Sequence, residues 1–178
     1  MADVRERIDA VLADRKTLLD DDVNTSWRHM PDQGCDRWTG ILAGSDGSPL
    51  DVRLVLDNYV SFGSDKFVLQ LVHYGANFFP VMRLCFGADA RHRNRPTPGK
   101  SLPSGIDAGW LHGSHMHHWS DNRQLATARL LPDDLRFARL IDESVKSFPA
   151  GFWLFCSEAN IVCGQHQIPF SMPTGRLF

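Results

Sequence analysis

The sequence has little of several things, and each scarcity excludes something. No apolar run approaches the ~20 residues that a membrane span needs. The strongly apolar stretches, such as Phe78-Phe79-Pro80-Val81-Met82, are short, so no membrane partner is expected. There are only four cysteines, Cys35, Cys85, Cys156 and Cys163, with no C-x2-C pair among them. That excludes zinc-knuckle and thioredoxin-type motifs and predicts reduced, mostly buried thiols. No P-loop, G-x-G-x-x-G or G-x-S-x-G element occurs, which leaves nucleotide-motor, dinucleotide and hydrolase-elbow chemistries without support. Neither charge sign is in excess. Nineteen Lys and Arg stand against 21 Asp and Glu, for a net charge of -2, and whole-molecule electrostatics does not advertise nucleic acid. The opening Met1-Ala2-Asp3-Val4-Arg5-Glu6-Arg7 is polar and is followed by no apolar h-region. The expectation is a cytoplasmic protein without a signal peptide.

What is present is enough apolar material for a core. The 178 residues are 43% hydrophobic and include 11 Phe and 5 Trp, a composition that excludes a disordered chain. Residues 3 to 19 read as a helix, with Val4, Ile8, Val11, Leu12, Leu18 and Leu19 near the 3.6 period. The acidic run Asp20-Asp21-Asp22 reads as a solvated connection. From Asp36 to Phe86 the pattern is an antiparallel meander of four strands, with turn clusters at Gly44 to Pro49 and Gly75-Ala76-Asn77. Ala90 to Gly109 is rich in Pro, Gly and Arg and lacks a period. Trp110 to Trp119 fits a strand. Pro132-Asp133-Asp134 opens a predicted second helix along Leu135, Phe137, Ala138, Leu140, Ile141 and Val145, stopped at Phe148 to Gly151. Phe152 to Cys156 and Ile161 to Cys163 read as short final strands, and 165 to 178 as an irregular tail. The predicted fold class is a single α+β domain: an antiparallel meander with an N-terminal helix and a helix after the His-rich segment.

The chemistry concentrates in the middle of the chain. Five of eight histidines lie between positions 92 and 118: His92, His112, His115, His117 and His118. On an extended segment His115 and His117 share one face. Three uses of that pair compete. It is a candidate metal pair, completed by His92, His112 or a carboxylate. The H-x-H spacing is similar to that of cupins, but the glutamate expected a few residues later is replaced by Asp121 and Gln124. It is also a candidate acid/base pair, because imidazole titrates near ~6.5. Residues 90 to 106 carry Arg91, Arg93, Arg95 and Lys100 and no acid, and Arg83 precedes them, which suits phosphate contacts. The third use is structural: imidazoles satisfying carbonyls or packing against Trp110 and Trp119.

Lys66, Gln70, Met82-Arg83-Leu84, His92-x-Asn94-x-Pro96, His115-x-His117-x-Trp119 and Leu130-Leu131-Pro132 together resemble a family of small prophage and genomic-island proteins. More distantly, the order is similar to the TumE-like toxins of toxin–antitoxin pairs. The resemblance implies a role in conflict between mobile elements and hosts. Arg93 and Arg95 interrupt the family's more contiguous His-Asn-Pro run. The leading expectation is metal-independent cleavage of RNA or a nucleotide phosphodiester, with no cofactor. His115 and His117 would be the acid/base pair and His92 an alternate, with Arg83, Arg91, Arg93, Arg95, Asn94 and Trp119 binding substrate. The expected partners are RNA or a nucleotide phosphate, with an antitoxin or a host defence complex as protein partner. The alternatives are a non-enzymatic inhibitor that blocks a host defence complex and a His-x-His metal-binding protein.

Overall fold

A computed structural model describes residues 3–19, 27–61, 64–74, 78–132, 134–167 and 169. Helix α1 spans Val4–Ala13, with Asp3 as N-cap accepting from the Arg5 amide at 2.8 Å. It stops at Asp14, whose backbone is extended, so the helix is shorter than the sequence period predicts. The reason is Lys16. Its side chain is fully buried, and its ammonium donates to the Val11, Leu12 and Asp14 carbonyls at 2.7, 3.3 and 2.7 Å. A cation sealing the last carbonyls ends a helix well. The chain then turns into strand β1, Lys16–Leu18.

Strands β2 (Arg28–Met30), β3 (Cys35–Ala43), β4 (Pro49–Ser61), β5 (Ser64–Tyr74) and β6 (Phe78–Phe86) follow. The last four of these form the predicted meander, each antiparallel to the next. The turn after β3 relies on Gly47 at φ +78°, a conformation open to glycine. Then come β7 (Arg91–Asn94), β8 (Gly109–His112), β9 (His115–His117), the short helix α2 (Trp119–Asn122), β10 (Arg139–Leu140), helix α3 (Phe148–Glu158) and β11 (Ile161–Val162). The main sheet runs β10-β9-β6-β5-β4-β3-β1-β11, with β2 also paired to β3, while β7 and β8 form a separate hairpin. Among the described strands only the β1–β11 pairing is parallel. The fold is a single α+β domain, as the alternation predicts.

Two further placements differ from the sequence reading. Residues 134–138 are not helical, and the later helix is Phe148–Glu158, where strands were expected. Ser147 caps α3 at the Ala150 amide and Pro149 occupies its first turn, a good helix start. Gly151 lets α3 lie on the sheet, because a Cβ there would stand 3.0 Å from Phe67 and 3.4 Å from Phe86. The predicted connection at Asp20 to Asp22, the turn at 75–77 and the tail from 170 lie outside the described residues.

The register divides the sheet into two faces. Trp38, Leu56, Leu69, Leu84 and Met116 stand in one cross-strand row. All are buried, and α1 and α3 contribute Ile8, Phe152 and Phe155 to the same core. The opposite face carries two quite different rows. One is Arg37, Asp57, Val68, Cys85 and His115; the next is Thr39, Val55, Gln70, Arg83 and His117.

Candidate metal and histidine centre

The second face becomes a site because three elements converge on it. Strand β6 presents Arg83 and Cys85, and β9 presents His115 and His117 beside them. The β7–β8 hairpin lays His92 against both imidazoles, with its ring centroid 4.5 Å from that of His117 and 5.5 Å from that of His115. The two β9 rings are 5.3 Å apart. A ligand atom from each of Cys85, His115 and His117 lies within 4.8 Å of the other two. His115 and His117 are each only 2% exposed.

The segment 134–138 roofs the cluster, and its extended form is what the site needs. A helix there would direct the Leu135 and Arg136 carbonyls into i→i+4 bonds. Extended, they are available to imidazoles. Two buried asparagines hold it open. Asn94 accepts from the Ala138 amide at 2.9 Å and donates to the Ala138 carbonyl at 2.9 Å. Asn122 does the same for Phe137, at 2.8 and 2.9 Å. Each side chain pairs with the N–H and C=O of one residue as a neighbouring strand would, and this competition overrides the helical spacing.

Two of the three imidazoles have one nitrogen anchored to backbone. His92 Nε2 lies 2.8 Å from the Arg136 carbonyl, and His115 Nδ1 lies 2.9 Å from the Gly113 carbonyl. A carbonyl only accepts, so both nitrogens carry the proton. His117 lies beside the Leu135 backbone, and its buried Nδ1 has no hydrogen-bond partner. The remaining nitrogens of the two anchored rings, His92 Nδ1 and His115 Nε2, therefore keep their lone pairs. Burial lowers the pKa of His115 and drives that of His117 well below 6.5, with the neighbouring His92 and Arg83 acting in the same direction. The pair is neutral at physiological pH. Burial likewise raises the Cys85 thiol, so without a cation it stays protonated.

Arg83 links this cluster to the rest of the face. Its Nε donates to Gln70 at 3.2 Å and its Nη1 to Asp134 at 3.2 Å. Gln70 contacts Asp57 at 3.5 Å, and Asp57 is paired with Arg37 at 2.6 Å. Beyond Gln70 a hollow of about 300 Å³ opens between Val55, Val72, Pro80, Tyr74 and Phe78, with Arg37 at its side.

The sequence placed His92, His115, His117 and Arg83 together, and they meet. Other expected residues do not. Asn94 was expected to bind substrate, but its amide is consumed by Ala138 and the Asp107 carbonyl. Trp119 is 3% exposed in the hydrophobic core, donates to Asp9 at 2.7 Å and meets Phe79 edge to face. It contacts no part of the cluster, since it lies on the opposite side of the sheet with the apolar rows. Arg91 and Arg93 alternate with His92 and Asn94 on β7 and are exposed on the hairpin's outer side; Arg95 is exposed in the following loop. Cys85 was missed. Its place opposite His115 depends on strand register, for which the sequence has only the weak signal of its alternation with Arg83.

No protein-family model, curated protein or solved structure matches this chain. No helix among the described residues is long and apolar enough to cross a membrane.

Proposed function

We propose that this protein binds a single transition-metal ion through Cys85, His115 and His117, with His92 as the adjacent third imidazole. One observation carries the reading. His92 and His115 each have one ring N–H bonded to a backbone carbonyl, which leaves the other nitrogen its lone pair, and a ligand atom from each of His115, His117 and the Cys85 thiol lies within 4.8 Å of the other two. That is how metal-ligating histidines are oriented by their surroundings. A borderline-soft ion such as Zn²⁺ suits a Cys–His–His set. Bond lengths of ~2.0–2.3 Å require the ligand atoms to close to roughly 3.5 Å of one another, a contraction of about an ångström within the observed cluster. Binding would convert the Cys85 thiol to thiolate and release its proton. It would also remove the cost of the partnerless His117 nitrogen.

The test is metal stoichiometry in tag-free protein loaded with zinc and dialysed. About one equivalent is expected, falling below about a tenth in Cys85→Ser and in His117→Ala while circular dichroism is retained. Cobalt in place of zinc should give a thiolate-to-metal charge-transfer band that Cys85→Ser abolishes. Wild-type protein that retains under about a tenth of an equivalent refutes the reading.

A second reading is metal-independent acid/base chemistry on a phosphodiester, of the kind found in mobile-element toxins. It is favoured by Arg83, a cation in register with His117, and by half-buried His92, the most accessible of the three rings. The burial of His115 and His117 weighs against it, because a polymer must reach them and an ion need only enter. RNA cleavage that survives chelation and disappears in Arg83→Gln and His92→Ala would favour this reading over the first.

A further inference from the structure

The β7–β8 hairpin has two sides with different jobs. Its inner side, His92 and Asn94, serves the site. Its outer side is built from two cross-strand pairs, Arg91 with His112 and Arg93 with Trp110. The Arg93 guanidinium sits 5.8 Å over the Trp110 ring, and the His112 ring lies 6.4 Å from Trp110 with the planes tilted by 36°. Trp110 is 58% exposed. An indole this accessible, bordered by two guanidinium groups and an imidazole, is neither core nor an aliphatic docking patch. The charge is local: residues 90–106 hold Arg91, Arg93, Arg95 and Lys100 and no acid, within a chain of net charge -2. Asp89 precedes the hairpin and Asp107 lies in the connection between its strands, and neither belongs to an outward pair.

We propose that this outer face binds single-stranded nucleic acid, with one base stacked on Trp110 and phosphates held by Arg91 and Arg93. An unpaired base has an open π-face, and stacking on an aromatic ring is tolerant of sequence. Guanidinium forks match phosphate oxygens two at a time. A duplex hides its base faces and offers the indole nothing to stack on. The metal centre is not required, since it uses the opposite side of the hairpin.

The experiment is a fluorescence-anisotropy titration of a labelled 12-nucleotide oligouridylate with the full-length protein, over a range of salt concentrations. The wild type is expected to bind at low salt. Trp110→Ala should weaken binding about tenfold or more, the effect of losing one base stack. Arg91→Gln and Arg93→Gln should each weaken binding and reduce the log–log salt slope by about 0.7, the value for one phosphate contact on a single strand. All three side chains lie outside the core, so unchanged circular dichroism serves as the folding control. A duplex of equal length should compete poorly. The inference is overturned by a wild type that does not bind the oligonucleotide at low salt, or by Trp110→Ala binding as tightly as wild type. Poly-glutamate competing as well as unlabelled oligouridylate would also overturn it, because the face would then be a site for acidic protein segments.

Discussion

The two faces of the central sheet share strands and differ in every other respect. On β5, Leu69 points into a row of Trp38, Leu56, Leu84 and Met116, whereas its neighbours Val68 and Gln70 point into rows ending at His115 and His117. The first face is stabilised by apolar area removed from water, at roughly 25 cal/mol per Å². The second buries Asp57, His115 and His117, and such groups cost free energy unless hydrogen-bonded or charge-paired. Asp57 is bonded to Arg37, and His115 is anchored to the Gly113 carbonyl through Nδ1. What remains unmatched there is His117 Nδ1, which lies within the Cys85, His115 and His117 cluster.

The contrast can be broken first on the apolar face. Leu69→Ala should lower the unfolding free energy by about 2–5 kcal/mol in urea titrations, while Val68→Ala, one residue away and half-buried, should cost much less. On the polar face the larger effect should come from the ion. Zinc at about a hundred times its dissociation constant should stabilise the wild type by about 2.7 kcal/mol. The melting temperature of Cys85→Ser should not respond. Asn122→Ala removes the partner of the Phe137 backbone N–H and C=O and should cost about 1–3 kcal/mol for each group left without a bond. It should weaken zinc retention in parallel, because the roof holding His92 and His117 loosens. Equal metal retention in this variant would show that the roof does not position the ligands.

The finest probe is Lys16, which belongs to the apolar side. Burial lowers its ammonium from 10.5 to about 8. Between about pH 8 and 10.5 the unfolded chain therefore holds this proton more tightly than the folded one does. The Lys16 contribution to stability rises with pH across that window and is lost as pH falls through it. The wild type should gain on Lys16→Met as pH is raised from 8 to 10.5, measured as the difference between their unfolding free energies. A constant difference would mean that the lysine is not desolvated.

The meander was legible because alternation on β4 to β6 reports which residues face the core, a property local to each strand. The shared face of His115 and His117 followed from the same period of two. The segment around Leu135 to Ala138 was misread because its apolar spacing also suits a helix, and the groups that prevent helix formation, the amides of Asn94 and Asn122, come from elsewhere in the chain. The helix at Phe148–Glu158 was misread for the converse reason: a nearly continuous apolar run fits a buried strand and a buried helix equally. Trp119 and Asn94 were misassigned because a tryptophan and an asparagine beside histidines look alike whether they serve ligand or scaffold.

By itself, then, the sequence determined an α+β chain with an antiparallel meander and a supply of imidazole and guanidinium groups in one stretch, since composition and period are carried by neighbouring residues. Only the tertiary structure decided that Cys85 faces His115, that His92 folds over both imidazoles, and that Arg91 and Arg93 turn away with Trp110. Those relations depend on cross-strand register and on the packing of one hairpin, and both are set by contacts between residues far apart in the chain.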